Sequence, residues 1–194
     1  MAMTIQESAT TSEGRPQRAD ARRNHERLVE AARELFEEGT DTSMEAIAKR
    51  AGVGIGTLYR HFPKRIDVVE AVYRDDVEQV AIVAERVVVE LEPWEAIDVF
   101  LHAFVNYALG KRRFLNELRE AFEKNPELKS ASRERLDGAV RLVLETAQRA
   151  GVVRTDLTSE EIYGLVGSMC MSALLTTEQC DRLIGLILDG LRVR

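Results

Sequence analysis

Apolar side chains recur at helical spacing along most of the chain, and no stretch shows the strict apolar–polar alternation of a half-buried strand. The pattern predicts an all-α protein in which the helices bury their apolar stripes. The predicted helices span about 21–38, 44–51, 55–62, 64–90, 94–109, 113–124, 128–150, 160–175 and 178–191. Residues 1–20 are polar and contain glycine and proline, and we expect them to form a disordered tail.

The most distinctive stretch is 42–65, in which two short helices are separated by a tight turn. Ser43 is placed to cap the first helix, and Gly52 has the backbone freedom that the other end of that helix requires. In the second helix Leu58 and Phe62 face inward, and Pro63 ends the helix because the residue before a proline disfavours helical backbone. The apolar stripe of the first helix consists of Met44, Ile47, Ala48 and Ala51.

A helix, a turn containing glycine and a second helix with outward polar residues form a helix-turn-helix, whose second helix enters the major groove of DNA. The charge of residues 42–65 agrees with this interpretation, since five cations against one anion give a net charge of +4. These cations are Lys49, Arg50, Arg60, Lys64 and Arg65. Such a patch suits the phosphates of a nucleic acid.

The run A-I-A-K-R-A-G-V-G-I-G-T-L-Y-R-H-F-P-K-R over 46–65 closely resembles the DNA-binding signature of the tetracycline-repressor (TetR) family of bacterial transcription regulators. The resemblance implies a three-helix DNA-binding domain over 21–65. It implies a second, helical domain over 66–194 that binds an effector and forms a homodimer. A long helix from about residue 64 would link the two domains.

The resemblance also assigns roles to single residues. Thr57 matches a hydroxyl that contacts a base, and Tyr59 matches a tyrosine that touches the groove wall or a thymine methyl. His61 and Arg65 match positions that bind phosphate, although the family usually has lysine where this chain has arginine. The DNA-binding residues expected from motif and resemblance together are Thr42, Ser43, Ile55, Gly56, Thr57, Tyr59, Arg60, His61, Lys64 and Arg65.

Several of these expectations leave alternatives open. Thr42 and Ser43 either hold a phosphate at a helix N-terminus or simply cap that helix. Ile55 and Gly56 offer the bases few polar groups, so specificity would rest on Thr57, Arg60 and DNA shape. The basic residues that end the N-terminal tail are either a solvated segment or an arm that reaches the DNA backbone or minor groove.

The last two predicted helices carry the features of a helix–helix interface. Gly164, Ser168 and Ser172 recur at every fourth residue and would let another helix approach closely. The final helix is apolar nearly all round, with Leu183 and Ile187 among its large side chains, and a helix of that kind is buried on every side. The resemblance implies that these helices pair two subunits, and packing inside one subunit is the alternative.

For the effector, the resemblance implies a cavity within the helical domain, which would have apolar and aromatic walls. The residues that we consider as lining are Trp94, His102, Phe104, Tyr107 and Met169. Ordinary core packing is the alternative for each of them. The acidic surface of this domain permits a cationic effector and indicates no more than that.

Overall charge changes this picture only slightly. The net charge is −6, which argues against a basic protein that coats DNA. It is unevenly divided: residues 1–65 hold 11 Lys and Arg against 10 Asp and Glu, whereas residues 66–194 hold 16 against 23. The paired acids Asp75–Asp76 look like solvated helix surface.

The sequence gives little support to an enzyme. The glycines of 52–57 superficially resemble a dinucleotide-binding loop, but the preceding segment has the pattern of a helix rather than a strand. Cys170 and Cys180 form no C-x-x-C motif and are expected to be free thiols, and the three histidines are scattered, so no metal or cofactor is expected. We find no targeting signal and no apolar run long enough for a bilayer, which predicts a cytoplasmic protein.

The sequence therefore predicts a sequence-specific, dimeric DNA-binding regulator on a pseudo-palindromic operator, acting as a repressor that a small molecule releases. The alternatives are an architectural DNA-binding protein without a ligand and a protein-interaction module with a vestigial helix-turn-helix. The long helical second domain disfavours the former, and the basic motif disfavours the latter.

Overall fold

The computed structural model describes the backbone of residues 14–193 and the side chains of residues 19–193. Within that range the protein is all-α, as predicted, and contains no strand. The helices are α1 (Gly14–Glu38), α2 (Met44–Ala51), α3 (Ile55–His61), α4 (Arg65–Glu90), α5 (Pro93–Lys111), α6 (Leu115–Lys124), α7 (Pro126–Arg149), α8 (Ser159–Met171) and α9 (Thr177–Leu191). A 3₁₀ turn at Arg112–Phe114 joins α5 to α6.

Helix α1 begins earlier than the sequence pattern predicted. It starts at Gly14 rather than near Ala21, so residues 14–20 of the predicted disordered tail are helical. At the boundary with the predicted helix, Arg23 contacts Asp20 at the i, i+3 spacing of a helix. Residues 1–13 of the predicted tail lie outside the described residues.

Helices α1, α2 and α3 form a small bundle at the N-terminal end. Its apolar centre contains Leu28, Ala32, Ile47, Leu58 and Phe62, each at most 3% exposed. Each large side chain buried in this way stabilises the fold by roughly 1.5–3 kcal/mol. The bundle confirms that the predicted stripes of α2 and α3 face one another.

Local signals fix the ends of α2 as expected. The Ser43 hydroxyl accepts a hydrogen bond from the backbone N–H of Ala46 at 3.2 Å. Gly52 ends the helix in the left-handed conformation, with φ of 63°. This positive φ favours glycine, whereas a methyl group at Gly52 would meet only the movable end of the Arg27 side chain, at 2.8 Å.

Helix α4 runs through both parts of the molecule. Its first turns pack against α1, and it packs along its length against α5, α6 and α7. The second apolar centre lies between these helices, α8 and α9. It is built around fully buried side chains that include Phe100, Leu101, Leu118, Leu136 and Ile184.

Helix α8 is shorter than predicted. It ends at Met171, and Ser172 has extended backbone with ψ of 121°. The Ser172 hydroxyl accepts a hydrogen bond from the backbone N–H of Leu174 at 3.3 Å, which stabilises the turn before α9. Among the described residues, no helix is long and apolar enough to cross a bilayer.

Candidate functional site

Helix α3 is held by its inner face and presents its outer face to solvent. Leu58 is fully buried and Phe62, just past the helix end, is 3% exposed. Ile55, Gly56, Tyr59 and Arg60 are exposed, and Thr57 is half-buried. These five are half of the positions expected to bind DNA, and the structure brings them to one short helix. Their contacts with DNA stay a prediction.

Arg60 is folded back along α3. Its Nε donates to the carbonyl oxygen of Gly56 at 3.1 Å, and its Nη2 donates to the Thr57 hydroxyl at 3.2 Å. A guanidinium has five N–H donors, so three remain for a partner outside the protein. The two residues expected to carry specificity are therefore in contact with each other.

Arg65 has a different environment from the one the motif predicted. Its guanidinium donates to the backbone carbonyl and, at 2.7 Å, to the hydroxyl of Thr42, and it lies 3.3 Å from the Glu117 carboxylate. It also lies over the Phe36 ring, 5.5 Å from the ring centroid. The structure therefore gives Arg65 a structural role between α2, α1 and α6, and it does not present this side chain as a free phosphate contact.

Thr42 and Ser43 are likewise engaged within the protein. Thr42 holds Arg65, and Ser43 caps α2 while donating its own hydroxyl to Asp41 at 3.0 Å. The Asp41 carboxylate also accepts the backbone N–H of Ser43 at 2.9 Å, so an anion already lies beside this helix N-terminus. Of the two alternatives for Thr42 and Ser43, these contacts favour capping.

The positive charge at the motif is smaller than the count over 42–65 suggested. Arg50 contacts Glu34 and Glu38, each at 2.9 Å, and this pairing lowers the pKa of the Glu38 carboxyl. Within residues 19–193, three cations of the motif have no carboxylate partner: Lys49, Arg60 and Lys64. These three are the candidates for binding phosphate or base edges from the motif.

His61 lies at the end of α3 against α1. Its ring centroid is 6.0 Å from that of His25 and 6.3 Å from that of Phe62. Burial, together with the charges of His25 and Arg60, lowers the pKa of His61. A phosphate contact from His61 at neutral pH would therefore be a hydrogen bond from a neutral imidazole rather than an ion pair.

Arg33 of α1 forms the main electrostatic contact between the two parts of the molecule. Its guanidinium contacts Asp75, Asp76 and Glu30, with Nε donating to Asp76 at 2.7 Å. Asp76 is mostly buried, and burial raises the pKa of its carboxyl to about 6 even though Arg33 opposes that shift. The interpretation of Asp75–Asp76 as plain solvated surface is therefore wrong for Asp76.

A cleft opens beside this contact, where α1, α4 and α5 meet; we call it the junction cleft. Its volume is about 570 Å³. Its walls include Glu30, Glu37, Asp75, Asp76, Arg33, Val80, Val83 and Tyr107. One predicted effector residue, Tyr107, therefore lies at the boundary between the DNA-binding and helical domains.

The five predicted effector residues do not form one site. Phe104 and Tyr107 lie together, with ring centroids 6.1 Å apart, and Phe104 also contacts Tyr163 at 5.5 Å. His102 is on the surface, where its Nδ1 lies 2.9 Å from the Asp98 carbonyl oxygen, so it lines no interior cavity.

Trp94 and Met169 are also in other places. Trp94 lies under the guanidinium of Arg192, 4.7 Å from the ring centroid, and Met169 lies in the groove between α8 and α9. The stripe of α5 had predicted correctly that Phe104 is inside, but not which neighbours it meets.

Among the residues whose side chains are described, the Tyr107 hydroxyl and one carboxylate oxygen of Asp137 are buried and make no hydrogen bond of normal geometry, although the Tyr73 hydroxyl lies close to that of Tyr107. Burial raises the pKa of Tyr107 well above its usual value. Burial also lowers the pKa of Lys111, whose ammonium lies 5.8 Å and 5.7 Å from the ring centroids of Tyr73 and Tyr107. Sequence reasoning missed this polar interior, because such residues are scattered along the chain among ordinary helix-surface positions.

Helices α8 and α9 leave an apolar groove of about 700 Å³ on the surface of the subunit. Leu183 and Ile187 line it, half-buried, together with Ser168, and Leu165 and Leu186 are 52% and 66% exposed. An isolated subunit therefore leaves one face of α9 uncovered.

The predicted small-residue row is only partly present on this face. Gly164 and Ser168 are exposed on α8, but Ser172 lies beyond the helix end and does not continue the row. The reason is the turn that the Ser172 hydroxyl stabilises, which diverts the chain toward α9.

Comparison with known proteins agrees with this architecture. The family model for bacterial regulatory proteins of the tetR family matches residues 28–72, and the one for the C-terminal domain of SbtR-like transcriptional regulators matches residues 92–193. The crystal structure of TetR transcriptional regulator SCO0520 from Streptomyces coelicolor is 32% identical, covers 87% of this chain and 98% of its own, and has a TM-score of 0.77. The crystal structure of a TetR transcription regulatory protein from Mycobacterium vanbaalenii is 34% identical, covers 92% of this chain and 100% of its own, and has a TM-score of 0.71.

Among curated proteins, the matching segments cover less than half of each regulator. The HTH-type transcriptional regulator SAR0097 from Staphylococcus aureus (strain MRSA252) is 37% identical over 87 residues, which are 43% of this chain and 46% of that protein. The match thus spans less than half of that relative. Regulators of the TetR family bind DNA and act as dimers. The helix-turn-helix, the helical second domain and these matches together show that the chain belongs to the tetR family of bacterial regulatory proteins and is a DNA-binding transcriptional regulator.

Proposed function

We propose that the protein is a dimeric repressor that leaves its DNA operator when a small organic molecule binds the helical domain. The observation that supports this most directly is the position of Tyr107. Its hydroxyl is buried and makes no hydrogen bond of normal geometry, with only the Tyr73 hydroxyl close to it, and the residue lines the junction cleft beside the Arg33 ion pairs. A ligand there would contact both the helical domain and α1 of the DNA-binding domain.

A ligand that hydrogen-bonds to the Tyr107 hydroxyl would gain binding free energy. Leaving a buried donor or acceptor without a partner costs roughly 1–3 kcal/mol, and a ligand that supplies the partner recovers that free energy. The cleft also has apolar side chains, Val80 and Val83, for the hydrocarbon part of a small molecule. Walls that are apolar with a few polar groups are typical of small-molecule sites.

Binding in this cleft would reach DNA through α4. Asp75 and Asp76, which contact Arg33, lie on this helix, and α4 follows α3 after only Phe62, Pro63 and Lys64. A ligand shifts the equilibrium only if it prefers one of two conformers. We infer that the effector prefers the conformer in which the Arg33 contacts and the tilt of α4 differ from those of the DNA-bound form.

On the DNA side, a dimer would place two copies of α3 on a pseudo-palindrome. Half-sites of such operators lie about 34–36 Å apart, or a multiple of that distance. Within the part of the chain whose side chains are described, the motif cations Lys49, Arg60 and Lys64 have no carboxylate partner, which supports phosphate and base contacts from them. The apolar groove between α8 and α9, with Leu183 and Ile187 in its wall, is the face that we infer to pair the two subunits.

The DNA-binding part is tested by selecting duplexes from a random pool with the full chain. We expect a pseudo-palindrome to be enriched and its affinity to fall steeply with salt, because phosphate contacts release counterions. A pool without any enriched sequence would contradict sequence-specific repression.

The effector part is tested with Tyr107→Phe, which removes the buried hydroxyl and nothing else. A panel of small amines, phenols and carboxylic acids should contain compounds that raise the Tm and release the operator together. Tyr107→Phe should keep operator binding and lose most of that response, whereas Tyr163→Phe, outside the junction cleft, should keep it. A panel without such a compound, or a fully responsive Tyr107→Phe protein, would refute the effector proposal.

A further inference from the structure

The outward face of α3 carries an apolar surface that the core of the bundle does not use. Ile55 and Tyr59 are 41% and 45% exposed, and because they are four residues apart they are neighbours on the same side of the helix. The sugar–phosphate backbone of DNA is charged and offers little apolar surface for such side chains to contact. Among the groups that base pairs display in the major groove, the thymine methyl is the one that apolar side chains contact.

Gly56 provides a second observation on the same face. It has no positive φ, and a methyl group added to it would meet no atom within 4 Å, so nothing inside the subunit requires glycine there. Glycine is also a poor helix former. On this exposed face, the missing side chain lets the helix approach a base-pair edge closely.

Arg60 provides the third observation on this face of α3. Its contacts with the Gly56 carbonyl and the Thr57 hydroxyl hold the guanidinium along α3, and both N–H groups of Nη1 and one of Nη2 remain available. No carboxylate engages it within the part of the chain whose side chains are described. A guanidinium fork fits the O6 and N7 acceptors of guanine in the major groove.

We propose that each recognition helix reads a thymine through its 5-methyl group with Ile55, across the open backbone at Gly56, and a guanine of the same half-site with Arg60. This inference rests on the proposed binding to a specific operator and adds the base chemistry of that operator. It predicts apolar readout at one position and bidentate hydrogen bonding at another.

The thymine contact is tested by replacing each thymine of the selected operator with uracil, which removes only the methyl group. One replacement in each half-site should weaken binding of the wild-type protein about tenfold. Ile55→Ala should weaken binding to the thymine operator by a similar factor and should bind the uracil operator no worse than the thymine one. Ile82→Ala, which changes an isoleucine of α4 with 43% exposure, is the matched control and should leave both affinities unchanged.

Two further measurements test the rest of the surface. Gly56→Ala should fold with a Tm equal to or above that of the wild type, since the added methyl meets no atom, yet bind the operator at least tenfold more weakly. Replacing one guanine in each half-site with 7-deazaguanine, which lacks N7, should weaken the wild-type protein but not Arg60→Ala.

The possible outcomes distinguish a failure of the thymine and guanine readout from a failure of the proposed repressor function. If no sequence is enriched from the pool, sequence-specific repression itself is contradicted. If an operator is enriched but tolerates uracil at every thymine, or if Ile55→Ala stays as sensitive to uracil as the wild type, the thymine readout is overturned. An Arg60→Ala protein that is as sensitive to 7-deazaguanine as the wild type overturns the guanine readout.

Discussion

Arg65 gives the sharpest test of the structure, because the family signature assigns it a phosphate contact whereas the observed contacts assign it a structural role. The guanidinium makes two hydrogen bonds to Thr42 and one ion pair to Glu117, with both charged side chains a little over one-third exposed. Hydrogen bonds involving a charged group contribute about 1.5–3 kcal/mol, and exposed ion pairs about 0–1 kcal/mol. Allowing for exposure to solvent, we expect Arg65→Ala to lower the free energy of unfolding by about 2 kcal/mol.

The assay compares Arg65→Ala with Lys64→Ala, an exposed neighbour whose ammonium has no carboxylate partner among the described side chains. Denaturant unfolding gives the stabilities, and operator affinity over a range of salt gives the slope of log K against log salt. Each lost phosphate contact reduces that slope by about 0.9, or about 1.8 for a dimer. We expect Lys64→Ala to flatten the slope without loss of stability, and Arg65→Ala to do the reverse. A flattened slope and unchanged stability for Arg65→Ala would show that the structural role is wrong.

Two further predictions follow from groups described above. The pKa of Asp76 in the folded protein is about 6, above its ordinary value of 3.8, so the folded protein binds this proton more tightly and gains stability as the pH falls from about 7 to about 4. In unfolding curves measured across this range, Asp76→Asn should remove up to about 3 kcal/mol of that gain. An unchanged dependence of stability on pH would contradict this prediction. Leu186→Glu places a charge on the apolar groove, at a side chain that is 66% exposed. Light scattering should therefore find a folded monomer at micromolar concentration. A persistent dimer would exclude this face as the interface.

Sequence reasoning located the elements well wherever a local signal decides them. The hydroxyl of Ser43 and the left-handed Gly52 act on backbone groups a few residues away, so both ends of α2 could be predicted. The apolar stripes were equally informative, because burial of Leu58 and Phe62 follows from helical period alone. The start of α1 was missed because a polar, proline-containing composition was taken as a sign of disorder, and the structure begins the helix at Gly14.

The roles of individual side chains were predicted less well, since they depend on contacts between residues distant in the chain. Arg65 and Glu117 are 52 positions apart, and Arg33 and Asp76 are 43 positions apart. A charge count over the motif cannot show that Arg50 is paired with carboxylates of α1. For the same reason His102 could be placed on α5 but not assigned to its outer surface.

The length of α4 sets the mechanical scale of any response. Its 26 residues span about 39 Å at 1.5 Å per residue. If the far end is held by the helical domain, a tilt of about 5° moves the first turn by roughly 3.4 Å, which equals the rise of one base pair along B-DNA. The recognition helix follows that turn closely, with only three residues between α3 and α4. A tilt of α4 by only a few degrees would therefore suffice to put the two recognition helices of a dimer out of register with their half-sites.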